Sequence, residues 1–313
     1  MLDNIIVTGG AGFIGSNLVL ELQRQYPDAK ITIIDDFRNS SFKTLEDFEG
    51  DVIAGELSAL PLGKYFDASK INSVFHLASI TDTTEHDQYL QVHDNVESWR
   101  NLLNFFAGQN TRFVFASSAA TYGQSAIANK IDQAQKPANV YAFSKVLLEN
   151  LARDFAKENP EQWTVGLRYF NVYGPRETHK LAASSMIYQL AQQMKQGKRP
   201  RIFKDGEQKR DFVYVKDIVD YTIAAATSPQ ARSEGTVGIY NAGSGVPRSF
   251  NDIISILNQV LNTELETEYI ENPYSFYQPH TEADLLMTRE CLRKEPQFSL
   301  EEGIKDYLAS GWL

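Results

Sequence analysis

The chain has 313 residues, 42% of them hydrophobic, a formal net charge of −10 and a single cysteine, Cys291. It is long enough for a full core and somewhat long for one domain. The acidic balance argues against nucleic acid as a partner, because phosphate backbones recruit basic surfaces. No run approaches the roughly 18 apolar residues of a membrane span, so no membrane partner is expected.

One cysteine rules out an intrachain disulfide and fits a reducing compartment. A strand begins by Asn4 with no leader pattern before it, so the expected location is cytoplasmic. The five histidines (His76, His86, His93, His179, His280) show no ligand spacing beside cysteine or paired carboxylates, and no metal site is assigned.

Asn4–Thr8 is a short apolar run that ends in Gly9-Gly-Ala-Gly12-Phe13-Ile14-Gly15. Residues 16–24 read as a helix, and a second apolar run over 31–34 ends in Asp35-Asp36. Strand, glycine turn, helix, strand and acid make up the βαβ unit that binds a dinucleotide. Gly9 permits the tight turn, Gly12 lets the backbone approach a pyrophosphate, and Gly15 lets helix pack on strand. The helix N-terminus then receives the phosphate charge, with Phe13 and Ile14 on the turn that leads into it. Asp35 stands where a carboxylate would bond the adenosine ribose.

Further runs keep the rhythm of a parallel sheet: strands over 51–54, 73–78 and 112–116, with a long helix over 88–107. In such a sheet ligands sit at the carboxyl ends of the strands, where Leu77, Ala78, Ser79, Ser117 and Ser118 fall. Next comes Asn139-Val-Tyr141-Ala-Phe-Ser-Lys145, whose tyrosine and lysine share one helix face. A lysine ammonium beside a phenol favours the phenolate, which makes Tyr141 a candidate general acid/base.

The glycine spacing resembles that of the extended short-chain dehydrogenase/reductases. Ala116-Ser-Ser-Ala-Ala-Thr-Tyr-Gly123 resembles their catalytic-serine strand and completes a Ser118-Tyr141-Lys145 set. Arg168-Tyr-Phe-Asn-Val-Tyr-Gly-Pro175 is similar to the nucleotide-sugar enzymes of that branch. Arg176-Glu-Thr-His-Lys180, Lys209–Val215 and Tyr277–Leu285 narrow the resemblance to the ADP-glycero-manno-heptose 6-epimerase family.

That resemblance implies an α/β fold, with a Rossmann-type doubly wound parallel sheet and a smaller α/β substrate-binding lobe. Residues 1–170 would make the cofactor domain, with segments near 211–230 and 284–292 returning to it. Most of 171–313 would make the lobe. The implied activity is an isomerase that interconverts ADP-D-glycero-D-manno-heptose and ADP-L-glycero-D-manno-heptose, supplying heptose for the lipopolysaccharide core. Tightly bound NADP would oxidise C6 to a transient carbonyl and re-reduce its opposite face. Tyr141 would move the proton on one face and Lys180, a base with a pKa lowered by burial or positive neighbours, on the other. Ser118 would hold the substrate hydroxyl and Lys145 the nicotinamide ribose.

The same resemblance places Asn95 and Val172 against the cofactor, and Asn171, Phe203, Arg210 and Tyr277 against the substrate. Arg38 and Lys43 are the cations placed to meet a 2′-phosphate, while Asp36 beside Asp35 keeps NAD open as the alternative. A homo-oligomer, by resemblance a pentamer, is implied.

Three other functions compete. A 4-epimerase of the same branch has no use for Lys180 as a second group. A dehydratase usually carries an Asp-Glu pair where Ala119-Ala120 stand. A non-catalytic dinucleotide-binding scaffold tends to lose the Tyr-Lys pair. The basic stretch from Lys195 to Arg210 reads mostly as a solvated face, with Arg210 suited to a diphosphate. Asn241–Gly245 reads as a turn into a helix, and Ser299–Glu302 as a capping box of no assigned function.

Overall fold

The computed structural model describes residues 2–81, 87–125, 127–232, 235–272 and 279–313. Among them, no helix is long and apolar enough to cross a membrane, and no group of three or more His, Cys, Asp or Glu side chains is placed to hold a metal ion.

Seven parallel strands form the central sheet: β1 (Asn4–Thr8), β2 (Lys30–Asp35), β3 (Asp51–Ala54), β4 (Ser73–His76), β5 (Arg112–Ser118), β6 (Thr164–Tyr169) and β10 (Gly238–Ala242). Their spatial order is β10-β6-β5-β4-β1-β2-β3, so the winding reverses between β1 and β4. Ligands bind at such a reversal, beyond the carboxyl ends of the strands.

The strands alternate their side chains between two cores. On one face Ile5, Val7 and Val114 meet α1 (Phe13–Gln25) and α5 (Val215–Thr227). On the other, Ile6, Phe113 and Phe115 meet α2 (Gln88–Phe105) and α3 (Val140–Glu158). The sheet is covered on both sides, which is why its strands read as nearly continuous apolar runs.

Helix α1 starts at Phe13, three residues earlier than the apolar pattern suggests, because the glycine turn feeds straight into it. Gly9 has φ +68°, and a Cβ there would meet the Ala78 nitrogen at 2.7 Å, so no side chain fits. Strand β10 lies where no strand is expected from the sequence. It pairs with β6 from Gly238↔Val165 to Ala242↔Tyr169, and the anticipated turn begins only after it.

A third core gathers α4 (Met186–Lys195), α6 (Phe250–Leu261) and α7 (Leu300–Ala309). Two small sheets flank it. β11 (Pro247–Ser249), β9 (Lys209–Tyr214) and β7 (Asn171–Tyr173) form one, and β12 (Glu268–Ile270) with β8 (Arg201–Phe203) form the other. Capping boxes Ser249/Asp252 and Ser299/Glu302 start α6 and α7.

Candidate active site

A cleft of about 310 Å³ opens at the β1/β4 reversal. Gly9, Gly12, Phe13, Ile14 and Gly15 form its floor. The N-cap of α1 is Gly12, which supplies no side-chain cap, and the first turn carries no acidic residue. The free N–H groups at that helix end therefore offer an anion site, as a dinucleotide diphosphate requires.

Asp35 lines the same cleft and also builds it. One carboxylate oxygen accepts the Ala11 N–H at 2.9 Å; the other accepts the Phe37 N–H and the Ser40 hydroxyl, both at 2.9 Å. A carboxylate has about four acceptor positions, so one remains for a ribose hydroxyl.

Beyond Asp35 the arrangement differs from the expectation of a phosphate-binding cation. Arg38 does line the cleft, but carboxylates surround its guanidinium: Asp36 at 2.5 Å, Asp94 at 2.7 Å and Glu56 at 3.7 Å. All three carboxylates line the cleft as well. Lys43 is exposed on the turn over 42–45 and is not part of the cleft wall.

Leu77, Ala78, Ser79 and Asn95 line the opposite wall. Asn95 spends its amide on the protein: its Oδ1 accepts the Ile80 N–H at 2.8 Å, and its Nδ2 donates to the Ile80 carbonyl and the Ser144 hydroxyl. It shapes the loop that a cofactor meets.

The three motif residues converge at the inner end. Ser118 ends β5, while Tyr141 and Lys145 lie one turn apart on α3, whose N-cap Asn139 accepts the Ala142 N–H at 2.8 Å. Lys145 Nζ lies 5.7 Å from the Tyr141 ring centroid and donates to the Ala116 carbonyl at 2.9 Å. Burial pushes the Tyr141 phenol above its ordinary range, and its hydrogen bond with Ser118 opposes that rise. The lysine does not bring Tyr141 below its ordinary value, as the sequence suggests, because burial also pulls the Lys145 ammonium down to about 7.

Lys180 sits on a turn over Thr178–Ala183, its Nζ 5.5 Å from the Phe13 ring centroid. Burial lowers its pKa, and the Glu177 charge works in the opposite direction. Lys180, Phe170 and Val172 belong both to this cleft and to a second one of about 460 Å³. Asn171, Phe203 and Arg210 line the second cleft, while Tyr277 lies outside the described residues.

Of the cations in the basic stretch, Arg201 and Arg210 line the second cleft, and the rest are not part of either cleft wall. Arg199 pairs with Glu266, Arg201 with Glu268 and Lys204 with Glu271 across and beside the β8/β12 ladder. Sequence reading missed Glu56, Asp94, Phe170 and His179, all in the cleft wall. Phe170 and His179 stand within the quoted motifs, whereas Glu56 and Asp94 carry no motif and come together only through the sheet.

Behind β5 lies a buried ion pair. Arg168 donates to both Glu149 oxygens at 2.8 Å, Ser117 donates to one of them at 2.7 Å, and the guanidinium covers the Tyr122 ring at 4.6 Å.

The family model described as the NAD dependent epimerase/dehydratase family matches residues 5–243. The chain is similar to the ADP-L-glycero-D-manno-heptose-6-epimerase of Helicobacter pylori, at 37% identity and TM-score 0.88 over 98% of this chain and 96% of that one. It is also similar to a UDP-N-acetylglucosamine 4-epimerase of Methanobrevibacter ruminantium, at 27% identity and TM-score 0.89 over 99% and 98%. A third likeness is to the UDP-glucuronic acid 4-epimerase of Bacillus cereus in complex with UDP-glucuronic acid and NAD, at 26% identity and TM-score 0.84 over 99% and 100%.

Proposed function

The chain belongs to the NAD dependent epimerase/dehydratase family, and from that premise we propose that it interconverts ADP-D-glycero-D-manno-heptose and ADP-L-glycero-D-manno-heptose. Inverting a carbon that has no acidic proton is most easily done by oxidation and re-reduction. A nicotinamide dinucleotide bound along the glycine turn would accept the C6 hydride and return it.

The residues around the cleft suit the remaining work. The free N–H groups at the start of α1 hold the diphosphate. Ser118 holds the substrate hydroxyl, Tyr141 takes and returns its proton on one face, and Lys145 holds the ribose. Lys180 does the proton work on the other face. Phe203 and Arg210, in the second cleft, take the substrate nucleotide and its diphosphate. The carboxylates around Arg38 disfavour a 2′-phosphate, so NAD is the cofactor form this wall suits better than NADP. A cytoplasmic homo-oligomer that supplies heptose for the lipopolysaccharide core completes the reading.

The observation that carries it is the position of Lys180: a half-buried amine shared by both clefts, in the same cavity as Tyr141. A 4-epimerase, whose sugar turns between faces, needs only one such group. The family likeness alone leaves the 4-epimerase open, and Lys180 favours the 6-epimerase.

The test is incubation with ADP-D-glycero-D-manno-heptose and cofactor, with the C6 epimers followed by NMR. Conversion is expected, without deuterium entering C5 in deuterated water. Absence of conversion together with turnover of UDP-hexoses overturns the assignment.

A further inference from the structure

The turn that carries Lys180 is held at both ends by one side chain. Glu177 is fully buried. Its Oε1 accepts the Gly174 N–H at 3.2 Å, just after β7, and the Ser185 hydroxyl at 2.8 Å, just before α4. Its Oε2 accepts the Ser185 N–H at 2.5 Å. The Glu177 carbonyl also accepts the Lys180 N–H at 3.0 Å. Everything from Thr178 to Ala183 therefore hangs between two points fixed by the same carboxylate.

A buried carboxylate with three donors aimed at it is costly unless all of them are engaged. Here they come from two separate stretches of backbone, so the carboxylate acts as a brace across the turn. Ser185 is also the N-cap of α4, accepting the Tyr188 N–H at 3.2 Å, so the brace fixes where that helix begins. Nothing comparable is needed for Tyr141, whose placement follows from α3 and its own cap.

We infer that Glu177 is a positioning residue for Lys180, setting the amine at the junction of the two clefts without itself touching substrate. This rests on the reading of Lys180 as the second proton-transfer group. It implies an asymmetry: loosening the brace impairs the face of the carbon that Lys180 serves and spares the face that Tyr141 serves.

The variant Glu177→Gln has nearly the same shape but only one acceptor oxygen. Whichever way its amide turns, the N–H₂ would face a backbone N–H, that of Gly174 or that of Ser185, which has no lone pair to offer. The measurement uses the holoenzyme in single turnovers, following nicotinamide absorbance as each C6 epimer is supplied separately, with Lys180→Met as the reference. We expect Lys180→Met to slow one epimer selectively, and Glu177→Gln to slow the same epimer about tenfold or more while leaving the other within about twofold, as a misplaced group does.

Equal slowing of both epimers by Glu177→Gln would assign Glu177 a purely structural role and overturn the inference. So would no slowing of either, if Lys180→Met still slows one. If Lys180→Met slows neither, the proton-transfer reading of Lys180 fails first and the inference falls with it. Should Glu177→Gln not fold, Ser185→Ala removes one of the three donors and carries the same comparison with a smaller effect.

Discussion

The Asn95 side-chain amide donates to the Ser144 hydroxyl at 3.0 Å, and that hydroxyl donates to the Tyr141 carbonyl at 2.8 Å. Through these two residues, the loop after β4 is tied to the helix turn that bears the tyrosine. Asn95→Ala would leave the Ile80 N–H without its partner, while the Ile80 carbonyl keeps the Gln91 amide at 3.4 Å. Orphaned buried groups of this kind cost about 1–3 kcal/mol, so urea unfolding should register a loss of that size. Dinucleotide affinity, measured by fluorescence titration, should weaken in the same variant. A variant with unchanged affinity would show that the loop keeps its shape without the amide.

Lys145 should take up a proton when a dinucleotide binds. In the free protein its pKa is drawn down to about 7 by burial, so at pH 8 it is mostly neutral. The reduced dinucleotide, with two negative charges and an uncharged nicotinamide ring, would bond the amine through its ribose, favour the ammonium and raise that pKa. Calorimetry at pH 8 in two buffers of different ionisation enthalpy should show uptake of nearly one proton per site, and much less at pH 6. Lys145→Met should abolish the difference.

Asp36→Asn removes one of the three carboxylates around Arg38. The guanidinium then meets less competition from its neighbours, and a 2′-phosphate less repulsion. The ratio of NADP to NAD affinity should rise by about tenfold, equivalent to about 1.4 kcal/mol. Equal affinities before and after would show that this wall does not discriminate between the two.

Glu149→Leu would leave Arg168 buried and unpaired. Breaking a buried pair from one side costs about 3–5 kcal/mol, readable as a fall in the urea midpoint. Adding Arg168→Met should recover much of the loss, because the uncompensated charge is then gone.

His76 makes a pH-dependent contribution to stability. Its ring is buried against Trp99, with Nδ1 2.8 Å from the Thr8 hydroxyl, and burial pulls its pKa to about 3, with the Lys145 charge adding to the effect. An unfolded histidine binds its proton below about pH 6.5. Between those values the unfolded chain holds the extra proton, so stability falls as pH drops from 6.5 toward 3. His76→Phe keeps a ring against Trp99 and removes this part of the slope. Unfolding midpoints at pH 7 and pH 5 should therefore lie closer together in the variant.

The parts legible in the sequence are those whose chemistry is packed into a short stretch. Gly9, Gly12 and Gly15 announce the turn because a positive φ at Gly9 and close backbone approaches at Gly9 and Gly15 leave no room for a side chain. Ser118, Tyr141 and Lys145 stand in quotable motifs, and they meet at the inner end of one cleft. Glu56 and Asp94 were not legible, because each belongs to its own stretch of chain and acts on Arg38 only once β4, β1, β2 and β3 are assembled in one sheet. The basic stretch showed its charges but not its partners, which lie more than sixty residues further along. Strand β10 was hidden for a related reason: five residues running into Gly243 look like a turn until β6 lends them a ladder.

That late strand bears on how the protein is made. Residue 242 must leave the ribosome before β6 has a neighbour on its outer side. Until then the nascent sheet presents the unpaired backbone of β6, an open template for another chain. Domains generally fold as units during synthesis, at about 5–20 residues per second. The interval between β6 and β10 is therefore several seconds of exposure, during which a chaperone that shields β6 would limit aggregation.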